Sequence, residues 1–154
     1  MTPDLFERTV AREGLKLKPY RDTRGNWTIG IGHNMEVDPA MMARLAELQE
    51  HGITEDEARS LFLTDTLKFT HQLDVHFAWW LDLDDVRQDV IFDMAFNMGL
   101  ETFATFHHTL GDIQAHRWPA AAADMLASKW AEQTGRRARA DAEEMEIGEE
   151  CSLS

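Results

Sequence analysis

Three side chains within sixteen residues have the chemistry of an acid–base site: Glu13, Asp22 and Thr28. A glycosidic bond is hydrolysed when one carboxyl group protonates the leaving oxygen and a second carboxylate serves as base or nucleophile. A hydroxyl six residues beyond the second acid can orient a water. Eight residues separate Glu13 from Asp22 and five separate Asp22 from Thr28. The reversal at Asp22-Thr23-Arg24-Gly25 allows the acids to converge. Acid pairs around turns are common, so on spacing alone a plain surface turn is the commoner reading.

The elements that must hold these groups follow from pattern. Thr2-Pro3-Asp4 offers an N-cap hydroxyl, a proline at the first helical position and an early acid. Leu5, Phe6, Thr9, Val10 and Glu13 keep helical spacing, and Gly14 can close the helix. Glu13 then sits at the negative end of the helix dipole, where an anion is solvated, paired with a base or partly protonated. Alternation from Leu15, the bar at Pro19 and the run Trp27-Thr28-Ile29 with Gly30 predict a small antiparallel sheet leaning on helices.

The remaining chain reads as helical. Asp38-Pro39 opens one helix to about Glu50, and Thr54-Glu55-Asp56-Glu57 is a capping box for a longer one towards Leu73. Val86, Val90, Ile91, Met94, Ala95 and Met98 recur at helical spacing up to Gly99. A helix from Trp118 to about Thr134 and a last one from Arg136 complete an α+β chain of one domain. Trp79-Trp80 is open between a carbohydrate platform and burial between helices, with burial the commoner fate. The eight methionines read as core filler, and the histidines lack the spacing of a metal site.

Composition excludes several classes. With 44% hydrophobic and 28% charged residues in 154, the chain is ordinary for a folded protein. Nothing approaches the roughly 18 apolar residues of a membrane span, and the start lacks the pattern of an export signal. Cys151 is the one cysteine, so no internal disulfide is expected. The net charge is −13, with 7 Lys/Arg against 8 Asp/Glu in residues 1–53 and 8 against 20 in residues 54–154. That field disfavours nucleic acid and anionic membranes as primary partners. Arg8, Arg12, Lys16, Lys18, Arg21 and Arg24 form a basic island that could face an anionic polymer.

The stretch EGLKLKPYRDTRGNWTIGIGH, residues 13–33, closely resembles the active-site segment of the phage-type lysozymes, the endolysin family of T4 lysozyme (glycoside hydrolase family 24). VRQDVIFDMAFNMG at 86–99 is similar to that family's central core helix, and SKWAEQTGRRA at 128–138 to its late cleft-lining turn. The resemblance spans about residues 3–140. It implies a bilobed lysozyme-like fold: an N-terminal lobe of about 14–58, a linking helix of about 55–75, and a helical lobe of about 76–154 on which helix 3–13 packs. It further implies hydrolysis of the β-1,4 bond between N-acetylmuramic acid and N-acetylglucosamine in peptidoglycan, with no metal or organic cofactor. By the same resemblance Glu13 is the general acid, Asp22 the base or stabiliser, and Thr28 positions the attacking water.

Other positions carry over from the same resemblance. Arg137 matches an arginine that pairs with the catalytic glutamate, and such a cation lowers a carboxyl pKa that a general acid needs raised. His33 and Asp65 match a structural salt bridge. Phe96, Asn97, Thr109 and Thr134 match or nearly match saccharide-lining positions, while Asn34 stands where the family has an apolar residue at the cleft mouth. The expected protein is a monomer without stable membrane association, held in the host cytoplasm until a holin-type pore gives access to the wall. The acidic charge and the acidic C-terminal end depart from the basic character of many lysozymes. Two alternatives stand beside hydrolysis: a lytic transglycosylase, and a non-catalytic peptidoglycan-binding protein on a lysozyme scaffold.

Overall fold

The computed structural model describes residues 1–149, so Cys151 lies outside the described residues. In chain order come α1 (Leu5–Glu13), β1 (Lys16–Arg21), β2 (Trp27–Gly30), β3 (His33–Asn34), α2 (Pro39–Met42), α3 (Leu45–His51) and α4 (Glu55–His76). They are followed by α5 (Asp85–Met98), α6 (Leu100–Ala104), α7 (His107–Gln114), α8 (Trp118–Leu126), α9 (Lys129–Thr134) and α10 (Arg136–Ile147). The strands form one antiparallel sheet in the order β1-β2-β3. The fold is therefore α+β. Its contacts separate two compact units: Asp4–Phe69, and Met1–Pro3 with the chain from Thr70 onward.

In the unit of residues 4–69 the core forms around Ile29, Met35, Met41, Leu48, Ile53 and Ala58, with Leu15, Trp27 and Leu61 packed against it. The capping box of α4 forms as its residues require. Thr54 N–H donates to Glu57 Oε2 at 2.7 Å, and Glu57 N–H donates to Thr54 Oγ1 at 3.1 Å. α1 joins this unit: Phe6 meets Phe62 edge-on at 5.5 Å, and Arg59 covers Phe6 at 3.9 Å while pairing with Glu7 at 2.9 Å.

Two helices expected as continuous are each divided. Asp38 accepts from Met41 N–H and starts α2, but the chain tightens at Arg44, whose N–H donates to Met41 O at 3.0 Å, before α3 resumes. The division still leaves both Met41 and Leu48 buried. In the second unit Ser128 divides α8 from α9 by accepting from Ala131 N–H at 3.1 Å, a new N-cap. Thr2 is also not the cap of α1. The helix begins after Asp4, and Thr2 gives both its N–H and its hydroxyl to the fully buried Asp89. A carboxylate removed from water requires such donors more strongly than a helix end does.

The second unit is built on α5, whose Val90, Ile91, Phe92, Met94 and Ala95 are buried. α10 packs on both α5 and α8, and α7 on α8. Arg87 on α5 caps α10 from outside: Nε donates to Met145 O at 2.7 Å and Nη2 to Glu146 O at 2.9 Å. Its guanidinium also lies 3.8 Å over Trp118. Trp80 is buried and donates to Asp74 at 2.8 Å, which makes it structural. Among the described residues no helix is long and apolar enough to cross a membrane.

A histidine clamp locks the first unit. His33 on β3 bonds Asp65 of α4 through Nδ1 at 2.7 Å and Asp38, the cap of α2, through Nε2 at 3.0 Å. The bond to Asp65 raises the His33 pKa above its usual range, against the opposing effect of burial, and Asp38 adds to the rise. The stabilisation is therefore complete below the unfolded value, about 6.5. It is lost as pH climbs through the higher folded value. His33→Gln should cost on the order of 2 kcal/mol near pH 6. Thermal melts from pH 5.5 to 9 should show the gap to wild type narrowing as pH rises, and a gap that widens would contradict the clamp.

Gly52 supplies a second test. It ends α3 at φ +70°, and a Cβ there would lie 2.6 Å from Leu17 O, the acceptor of Ile53 N–H. Gly25 has φ +85° but open space around it. Gly52→Ala should destabilise by roughly 2–3 kcal/mol and Gly25→Ala by about 1 kcal/mol. Melting temperatures of the pair read the difference.

Candidate active site

The candidate triad lies within the unit of residues 4–69. Glu13 is the exposed last residue of α1, and Gly14 closes the helix by donating to Val10 O at 2.8 Å. Asp22 follows β1 directly. Its Oδ1 accepts from the N–H groups of Arg24 and Asn26, each at 2.8 Å, so its side chain builds the turn between β1 and β2. These donors, Asn26 first, hold its carboxyl below the usual carboxylate range. Asp22 is thus an anion at neutral pH.

Thr28 is 3% exposed on the central strand, and its hydroxyl donates to Asn26 O at 3.1 Å. Register places it opposite Tyr20 on β1 and Asn34 on β3. Residues directly opposite in a sheet share a face, so Tyr20, Thr28 and Asn34 form one row. Asn34 Oδ1 accepts from Glu36 N–H at 2.9 Å and so caps the turn that follows β3. Tyr20 is the group that both acids influence. Burial, then the charge of Asp22, then that of Glu13 push its phenol pKa up. Tyr20, which spacing had not singled out, is thus the cross-strand neighbour of Thr28 and feels the charge of both acids.

The other matched residues lie in the second unit. Phe96 is half-buried and stacked on Phe92 at 5.2 Å. Asn97 Oδ1 accepts from the indole Nε1 of Trp130 at 2.9 Å, and Thr134 Oγ1 donates to the backbone carbonyl of Trp130 at 2.8 Å, so one residue partners both. Thr109 is buried on α7. Arg137 makes a two-pronged ion pair with Asp93, 2.8 Å on each arm. Sequence reasoning passed over Asp93. Its signal was an acid at helical spacing among the apolar residues of α5, a position that demands a cation. Asp38 was likewise read as a cap and not as a second partner for His33.

Comparison with known proteins shows the family. The family model described as phage lysozyme matches residues 10–142. The chain is 31% identical over 141 residues to "Probable T4-type lysozyme 1" of Dictyostelium discoideum, covering 81% of this chain and 83% of that one. It is 33% identical over 141 residues to the pre-baseplate central spike protein Gp5 of Enterobacteria phage T4, covering 82% of this chain but 24% of that protein. An endolysin of Acyrthosiphon pisum secondary endosymbiont phage 1 is 26% identical over 125 residues, 81% of this chain and 77% of its own. With a family model covering residues 10–142 and relatives above 30% identity over four-fifths of its length, this chain belongs to the phage lysozyme family.

Proposed function

We propose that this lysozyme hydrolyses the β-1,4 bond between N-acetylmuramic acid and N-acetylglucosamine in peptidoglycan. What supports the reading most directly is that the charges of Glu13 and Asp22 both bear on Tyr20, the cross-strand partner of Thr28. In the proposed course the Glu13 carboxyl gives its proton to the leaving glycosidic oxygen. Water adds to the anomeric carbon, and Asp22, already ionised, takes the water's proton. Because the Thr28 hydroxyl donates to Asn26 O, its lone pairs are left to accept from that water. Asn34, Phe96, Asn97, Thr109 and Thr134 are carried over as saccharide contacts, and Arg137 as support for the acid. The chain is taken to act as a monomer, reaching the wall through a holin-type pore as the endolysin resemblance implies.

The charge distribution supports contact with an anionic wall through one region. Lys16, Lys18, Arg21 and Arg24 are exposed on β1 and its turn, although the whole chain is at −13. Repulsion over long range should slow binding at low salt and relax near 0.1 M, where the screening length is about 10 Å. Turbidity clearing of outer-membrane-permeabilised cells should therefore rise from low to moderate salt. Glu13→Gln should lower the rate by roughly 10²–10⁴-fold at every salt. Mass spectrometry of the digest should find reducing ends; 1,6-anhydro ends would indicate a lytic transglycosylase. Clearing unaffected by Glu13→Gln would indicate a binding protein on this scaffold.

A further inference from the structure

The row across the sheet contains a hydroxyl that the protein does not engage. The Thr28 hydroxyl donates to Asn26 O, and Asn34 Oδ1 caps the following turn. The Tyr20 hydroxyl has no hydrogen-bond partner among the described residues, and its oxygen is not enclosed. Tyr20 is half-buried and under the influence of two carboxylates. A phenol is a neutral donor at neutral pH, and burial with those charges pushes its pKa further up.

The local backbone reinforces this placement. β1 carries a bulge: Lys16 opposes Gly30 while Tyr20 opposes Thr28, so four steps on one strand match two on the other. Bulges beside functional sites re-aim side chains. Here the result is Lys16 Nζ 5.1 Å from the centre of the Tyr20 ring, a cation that helps hold the ring in place. Pro19 lies inside the bulge, where a missing N–H is tolerated.

We infer that Tyr20 is a substrate-contacting residue, donating its phenolic hydrogen to an acceptor oxygen of the saccharide beside the bond that is cleaved. The inference rests on the reading of Glu13, Asp22 and Thr28 as the catalytic groups. A saccharide offers acetamido carbonyl and hydroxyl oxygens, which suit a neutral donor in a region already rich in acceptors. Asp22 and Glu13 can serve the reacting proton while Tyr20 fixes the sugar that presents it.

Tyr20 is the chain's only tyrosine, so protein labelled with ¹³Cζ-tyrosine gives a single resonance from this site. In the Glu13→Gln background, a soluble tetrasaccharide of alternating N-acetylglucosamine and N-acetylmuramic acid should move that resonance. In otherwise wild-type protein, Tyr20→Phe should lower kcat/KM about tenfold, the effect of one hydrogen bond, with little change in melting temperature. The inference is overturned if the resonance stays fixed while tryptophan fluorescence reports saturation, or if Tyr20→Phe is within about twofold of wild type. If wild type clears walls and Glu13→Gln does not, either result removes Tyr20 alone. If wild type and Glu13→Gln are equally inert, the hydrolase reading fails and Tyr20's role fails with it.

Discussion

The hairpin between β1 and β2 depends on one carboxylate accepting two backbone N–H groups at its own turn. Asp22 thereby sets where the chain reverses. The reversal sets the pairing of Arg21 with Trp27 and of Tyr20 with Thr28. A shift of one residue would turn Thr28 to the opposite face and Ile29 out of the core. The same two donors keep the group ionised. Folding and charge state at this position are therefore one constraint, and the proposed base needs no separate scaffold to orient it.

The helical unit meets a different difficulty, that of charges inside a core. Asp89, Asp93 and Asp141 are all buried, and Arg87 nearly so. Asp93 is matched by Arg137 on α10, Asp89 by the donors of Thr2, and Arg87 by carbonyls at the end of α10. Such pairs contribute modest net stability, but loss of one partner strands a buried charge. They tie α5 to the first residues and to the last helix with directional bonds that apolar packing does not provide. Much of the acidity of residues 54–154 is still on the surface, yet the formal charge overstates it, because part of that acidity is internal and compensated.

Local signals in the sequence were reliable where the physics is local. The capping box at Thr54, the glycine stops at Gly14 and Gly99, and the turn at Asp22 are each set by residues within a few positions of one another. Where a distant group competes, sequence alone misled. Thr2 resembled a cap until Asp89, 87 positions away, claimed its donors. Ser128 lay inside an unbroken apolar pattern, and only its bond to Ala131 N–H shows that one helix ends there and another starts. The proposed triad could be named from the sequence because its members lie within sixteen residues and carry a distinctive spacing. Tyr20 lay in plain view among them, but its standing depends on cross-strand register and on an unengaged hydroxyl, neither of which a sequence states.

The attachments of the two chain ends have a topological consequence. Thr2 is bonded to Asp89, and the carbonyls of Met145 and Glu146 are bonded to Arg87, two residues away on the same helix. Both ends of the described chain are thus fastened to one helix, α5. Ends fastened to the body of a unit, rather than left loose, hold the path between them when further chain is joined at either one. In the phage T4 spike protein the matching segment makes up 24% of the polypeptide.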